Sequence, residues 1–142
     1  VARSHAEFDV GLIIMDNRFQ QFVKQRTVSL GTRKRNGSWV ATPVNIAVDD
    51  DHAYFRTYSS SGKSKRLRNF AEIEIAPSTV QGRATGPYVS AFARLLTGDE
   101  SRHAATLLSR KYPFLHGVLV PLFHRMRGQT TEHYRVTTHR ES

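Results

Sequence analysis

The residues best placed to do chemistry lie where Ser59-Ser-Ser-Gly62 runs directly into Lys63, Lys65 and Arg66. Small hydroxyl and glycine residues ahead of a helix leave its first N–H groups pointing at whatever sits there, and the helix dipole adds positive potential. With three cations adjacent, this is the chemistry of a phosphate cradle. The same pattern fits a solvated helix with ordinary basic residues, and spacing alone leaves both readings open. Seven histidines raise the question of a metal. His116 and His124 are eight apart, and His103, His133 and His139 have no second histidine at i, i+4, so the pattern does not point to one. There is no Gly-x-Ser-x-Gly elbow, no P-loop and no dinucleotide fingerprint. Tyr54, Tyr58 and Tyr88 carry phenols able to donate protons, yet packed tyrosines with bonded hydroxyls are the commoner case. No residue declares itself as a general acid or base.

Positioning the cradle takes a strand before it and a helix after it. His52 to Tyr58 is rich in aromatic and β-branched residues and reads as a strand. Lys63 to Phe70 reads as a short helix, with Leu67 and Phe70 three apart and Ser60 or Ser61 as cap. Upstream, the strands Thr27 to Arg33 and Trp39 to Val48 flank the hairpin signal Asn36-Gly37, with Val40, Val44, Ile46 and Val48 on one face. Pro43 falls inside the second strand, where a missing N–H is tolerated only at an edge or a bulge. Asp49-Asp-Asp51 makes the next turn. Ala71 to Ser78 sets Glu72 and Glu74 against Ile73 and Ile75; Tyr88 to Leu96 also alternates, and Thr130 to Thr138 supplies a last strand.

Three further helices are predicted. Asp16 or Asn17 caps a short one bearing Phe19, Phe22 and Val23 on one stripe; the capping box Thr97-Gly-Asp-Glu100 opens a second, closed by Pro113. A third places Leu115, Val118, Leu119, Leu122 and Met126 together, with Pro121 as kink and Gly128 as stop. Short strands linked mostly by hairpins, with helices as connectors, predict a mainly β (α+β) fold closed into a small antiparallel barrel.

The chain of 142 residues matches one domain, 1–142, able to bury a core without staples; residues 1–15 show no period and read as an N-terminal arm or an appended remnant. Zero cysteines exclude a disulfide framework, thiol catalysis and Cys-ligated metal sites. The most apolar runs, Val10 to Met15 and Phe114 to Phe123, fall short of the ~20 residues a membrane span needs. Arg3, Glu7 and Asp9 ahead of the first run are a poor match to a signal peptide, so a cytoplasmic protein is expected. Lys and Arg number 21 against 12 Asp and Glu, a formal net charge of +9, which points to an anionic partner. No acid occurs between Asn17 and Val48, where Arg33, Lys34 and Arg35 stand, or between His52 and Ala71, where Arg56, Lys63, Lys65, Arg66 and Arg68 stand.

Three stretches together resemble a known family: Thr27-Val-Ser-Leu-Gly-Thr-Arg-Lys-Arg-Asn-Gly-Ser-Trp-Val-Ala-Thr-Pro-Val-Asn45, then Ser61-Gly-Lys-Ser-Lys-Arg-Leu-Arg-Asn69, then Ile75-Ala-Pro-Ser78. In this order they are similar to the pyridoxamine 5′-phosphate oxidase-like, FMN-binding split-barrel proteins, in the branch that uses the deazaflavin coenzyme F420. The resemblance runs from Asn17 to Thr138. It implies a six-stranded antiparallel split β-barrel with short connecting helices, working as a homodimer with flavin or deazaflavin in a groove between subunits. It implies that the cofactor ring lies along Thr42, Pro43, Val44 and Asn45, and that Arg56, Thr57, Ser61, Lys63, Lys65 and Arg66 hold the phosphate. The charge distribution singles out the same helix start independently. Arg33 and Lys34, with Arg35, are then expected to help hold the coenzyme's acidic tail. Residues 1–15 match nothing in the family pattern, and the C-terminal substrate-phosphate residues of the vitamin-forming oxidases are missing, which argues against pyridoxal phosphate synthesis.

The activity so implied is that of an F420-dependent oxidoreductase, passing a hydride between the cofactor and an organic acceptor such as a quinone or enone while the protein orients both. An FMN-binding oxidoreductase on the same fold is the alternative. A small basic nucleic-acid-binding barrel, with Trp39, Tyr54 and Phe55 as stacking faces, is the reading from another class. Single-strand binders interleave exposed aromatics with bases on one face, whereas Val40, Val44 and Ile46 have the pattern of a buried face, so no nucleic-acid partner is expected.

Overall fold

The computed structural model of the chain describes residues 18–50, 52–112 and 130–141. Its strands are β1 (Thr27–Arg33), β2 (Trp39–Asp49), β3 (His52–Tyr58), β4 (Glu72–Pro77), β5 (Val89–Leu95) and β6 (Thr131–Thr137). They form a closed antiparallel barrel in the order β1-β2-β3-β6-β5-β4, with β4 pairing back to β1. β2 is shared between two neighbours: Trp39 to Asn45 pair with β1, and Ile46 to Asp49 pair with β3. Its first half thus has β1 on one side and no strand on the other among the described residues. Pro43, opposite Ser29, sits in that half, where its missing N–H costs no ladder bond on the open side.

Alternation decides what is inside. Val28, Leu30, Val44, Ile46, Phe55, Ile73, Ile75, Tyr134 and Val136 meet in one core. Phe55 stacks on Tyr134, with ring centroids 5.1 Å apart. Successive strand residues face opposite ways, so Trp39, Ala41 and Pro43 of β2 and Glu72 and Glu74 of β4 lie on the outer surface.

The hairpin between β1 and β2 forms, but its turn spreads over Lys34 to Ser38. A two-residue turn of the type Asn-Gly favours needs both residues left-handed, and here only Gly37 is, at φ +89°. Asn36 instead accepts from Ser38 N through Oδ1 (3.0 Å), while Lys34 N donates to Ser38 O (2.8 Å).

The described residues form two α-helices. α1 (Gly62–Asn69) joins β3 to β4 and is capped by Ser61, whose Oγ accepts from Ser64 N (3.1 Å). α2 (Gly98–Lys111) packs outside the barrel, Leu108 on Ala47 and Ala104 on Tyr54. The predicted capping box does not form. Thr97 makes no side-chain cap bond, and Glu100 turns to Arg94 (2.9 Å) and Arg135 (3.0 Å). Two guanidinium donors outcompete one backbone N–H. Glu141 bridges the same pair (2.6 and 2.5 Å), closing a square of alternating charge across β5, β6 and α2.

The N-terminal helix is a 3₁₀ turn, Arg18–Phe22. Phe19 and Phe22 are fully buried, but Val23 is 41% exposed, off the expected stripe. At three residues per turn, i and i+3 eclipse and i+4 rotates away. The expected caps Asp16 and Asn17, the arm at 1–15 and the helix at 115–126 lie outside the described residues. Among the described residues no helix is long and apolar enough to cross a membrane.

Candidate functional site

The bend from β3 into α1 is fixed by hydroxyls. Thr57 Oγ1 lies 2.8 Å from Ser61 Oγ, and the fully buried Ser64 donates its hydroxyl to Tyr58 O (2.7 Å). Helix geometry leaves the N–H groups of Gly62 and Lys63 without intrahelical acceptors. Arg66 folds back so that Nε donates to Thr32 Oγ1 of β1 (2.6 Å) and one terminal nitrogen comes within 2.8 Å of where a Cβ on Gly62 would stand. Burial, and then the neighbouring Arg66 charge, push the Lys63 ammonium below the usual lysine range. No carboxylate pairs with Lys63 or Arg66 among the described residues. Lys65 is exposed on the helix flank.

The β2 segment splits by alternation. Thr42 is paired with core residue Leu30 and faces inward, as does buried Val44; Pro43 is exposed outside, and Asn45 Nδ2 donates to Arg26 O (2.9 Å). Thr42 Oγ1 is the one buried side-chain polar atom without a hydrogen-bond partner among the described residues, a vacancy that calls for a cause. Gly82, at φ +96°, closes on Pro43: a Cβ there would lie 2.9 Å from Pro43 Cβ. The loop between β4 and β5 is thereby held against β2. From its far end Tyr88 reaches β1, its hydroxyl 2.7 Å from Ser29 Oγ.

Arg56 stands apart from Thr57, on the opposite face of β3. Its Nε donates to His133 Nε2 (3.0 Å), and His133 Nδ1 lies 3.0 Å from Ser101 Oγ of α2. Because Nε2 accepts, a neutral ring carries its proton on Nδ1 and gives it to Ser101. Burial draws the Arg56 guanidinium below the usual arginine range. At the hairpin, Arg33 pairs with Glu72 (3.3 Å) and lies 5.8 Å from the ring centres of both Trp39 and Phe70. Its charge is committed to β4. The links Arg66–Thr32 and Arg33–Phe70 nevertheless bring the base of the hairpin against α1, with Lys34 and Arg35 exposed just beyond it.

Spacing gave no sign of three arrangements. His133 pairs with an arginine across the sheet, and His103 Nε2 meets Asp49 Oδ2 (3.1 Å) from a different element. Lys111 Nζ donates to Ile46 O (2.8 Å), and the Tyr112 hydroxyl lies 2.8 Å from the carbonyls of both Arg26 and Ile46. Burial brings Lys111 down to about 8 and pushes Tyr112 up to about 12. Among the described residues no three metal-ligating side chains come together.

Scans against family models and curated proteins find no match to the chain. Solved structures do match it. HutZ, named as the heme storage protein of Vibrio cholerae, aligns with a TM-score of 0.65 at 11% identity over 89% of this chain and 92% of its own. A proposed pyridoxamine 5′-phosphate oxidase from Listeria innocua gives 0.60 at 9% identity, over 88% and 94%. The fold is the split barrel that these structures share. The same split barrel occurs in a proposed 5-nitroimidazole antibiotic resistance protein of Bacteroides thetaiotaomicron, with a TM-score of 0.63 at 14% identity over 87% and 80%. At such identities split barrels share architecture, and function has to be argued from the site.

Proposed function

We propose that this split barrel is a cytoplasmic, homodimeric oxidoreductase that binds the deazaflavin coenzyme F420 and serves hydride transfer to or from a small organic acceptor such as a quinone or enone. The observation that carries the reading is the unneutralised pair Lys63 and Arg66 above the capped start of α1. Two cations held together without a carboxylate suit a phosphate, which also takes the N–H groups of Gly62 and Lys63. Thr57 and Ser61 keep the helix start in place, and Lys65 adds to the local field. Arg56 reaches the same anion only from the far face of β3, as a flanking charge. The open half of β2, from Thr42 to Asn45, gives a flat ring a strand to lie along, and the orphaned Thr42 hydroxyl is the polar atom there without a partner. Lys34, next to α1, faces the acidic tail, while Arg33 fixes Trp39. Once bound, the deazaflavin supplies the hydride chemistry, and the protein supplies binding and orientation.

FMN would use the same phosphate contacts; exposed Lys34 and Arg35 favour the longer, more acidic cofactor. The free edge of β2 along Trp39 to Asn45, which pairs with β1 alone, is an edge a second copy would cover. The test is equilibrium titration of purified protein with the deazaflavin, FMN and a labelled oligonucleotide at one ionic strength. Deazaflavin is expected to bind tightest. Oligonucleotide binding with a log–log salt slope near −0.9 per duplex phosphate contact, together with no binding of either cofactor, would replace this reading with a nucleic-acid one.

A further inference from the structure

A carbonyl acceptor needs a donor to hold it, and one stands on the outer face of the barrel. Tyr88 is 39% exposed, yet its hydroxyl is fixed at 2.7 Å from Ser29 Oγ. Ser29 is fully buried and faces outward, because its neighbours Val28 and Leu30 line the core. It is paired across the sheet with Pro43, and such partners stand about 5 Å apart. The phenol is therefore one strand in from the open half of β2.

The direction of this hydrogen bond follows from burial. The enclosed Ser29 hydroxyl has no other partner among the described residues, so an undonated proton there would carry the penalty of a buried unsatisfied donor. Tyr88 reaches solvent and has no such penalty. Ser29 thus donates to the phenol oxygen, and the phenolic proton is turned outward.

What surrounds that proton is flat and small. Exposed Ala41 of β2 forms the floor, and its partner Gly31 is buried under Glu74, whose Cγ lies 2.8 Å from where a Cβ would stand. The loop held by Gly82 against Pro43 makes one wall. Trp39, 42% exposed on the same face, stands four residues along β2 from Pro43, about 13 Å away. Trp39 and Tyr88 are the exposed large aromatics of the described residues. The Glu74 carboxylate disfavours anions here.

We infer that Tyr88, presented by Ser29, is a substrate-positioning donor and that this face seats a neutral, planar carbonyl compound of the quinone or enone class. The chemical class rests on the oxidoreductase reading; the seat itself rests on the geometry of Tyr88 and Ser29.

Menadione titrated into the cofactor-free protein tests it, read by quenching of the chain's single tryptophan. Saturable quenching is expected. Tyr88→Phe should weaken menadione binding roughly three- to tenfold, the worth of one neutral hydrogen bond. Ser29→Ala should shift it the same way by less. Deazaflavin affinity should be equal in the parent and Tyr88→Phe. Quenching that never saturates, or a Tyr88→Phe curve identical to the parent's, overturns the inference whatever the cofactor does. Tyr88-dependent menadione binding in a protein that takes neither deazaflavin nor FMN would keep the seat and remove the oxidoreductase reading.

Discussion

Replacing Gly62 with alanine isolates the contribution of Arg66 without removing a charge. The new Cβ would stand 2.8 Å from a terminal nitrogen at the flexible end of Arg66, so the guanidinium has to shift away from the helix start, at the expense of the 2.6 Å bond from its Nε to Thr32 Oγ1. Two stability effects oppose each other. Losing a hydrogen bond from a charged donor costs about 1.5–3 kcal/mol. Alanine in place of glycine in a helix returns up to about 1 kcal/mol. The net loss is about 0.5–2 kcal/mol, a fall of a few degrees in Tm for a chain of this size. Anion binding should suffer more, because the direct contact disappears: about 1.5–3 kcal/mol, or roughly ten- to hundredfold in Kd. Calorimetric titration with deazaflavin or FMN, run beside thermal melts, reads both numbers. A variant that binds within twofold of the parent yet melts a few degrees lower would refute the argument, and Arg66 would then be a brace between α1 and β1 and nothing more.

Lys63→Ala and Arg66→Ala should each weaken cofactor binding by about 1.5–3 kcal/mol with the fold intact; affinity equal to the parent's in both would move the phosphate to another element. Light scattering at micromolar concentration should give twice the chain mass, and a value near 16.1 kDa would sink the homodimer. Lys111→Met should raise stability at pH 7 by about 1 kcal/mol, after the lost bonds to the Ile46 and Phe22 carbonyls are counted. The folded Lys111 titrates near 8 against 10.5 when unfolded, so between those values the unfolded chain holds more protons and parent stability rises with pH. The gain from methionine should therefore be full below pH 8 and shrink toward 10.5; a gain constant from pH 7 to 10 counts against burial as the cause.

Most of the barrel could be read from the sequence because each strand solves a local problem. Ile73 and Ile75 against Glu72 and Glu74 can be satisfied only by a sheet with one wet face, and the ends of β3 fall within its aromatic run. A serine cap for α1, Ser60 or Ser61, was equally legible, since a cap and the N–H it accepts from are only three residues apart; the structure uses Ser61. Thr97 misled for the opposite reason. Its box partner Glu100 has arginines within reach that come from β5 and β6, and no local pattern announces them. Arg56 shows the limit most plainly: the resemblance groups it with Thr57, while the two-residue period of a strand sends it to His133, 77 positions away. Tyr88 and Ser29, 59 apart, are invisible to spacing in the same way.

β2 changes partner between Asn45 and Ile46, and at that handover the Ile46 carbonyl accepts from both Lys111 Nζ and the Tyr112 hydroxyl. The end of α2 therefore works as an index pin for the strand. A residue inserted between Pro43 and Asn45 would turn everything before it over: Trp39 and Pro43 would be driven into the core and Thr42 out of it. A residue inserted in the 34–38 turn would move none of them. Length variation among descendants of this chain should accordingly collect at the hairpin tip, while the open half of β2 keeps its count however far its letters drift.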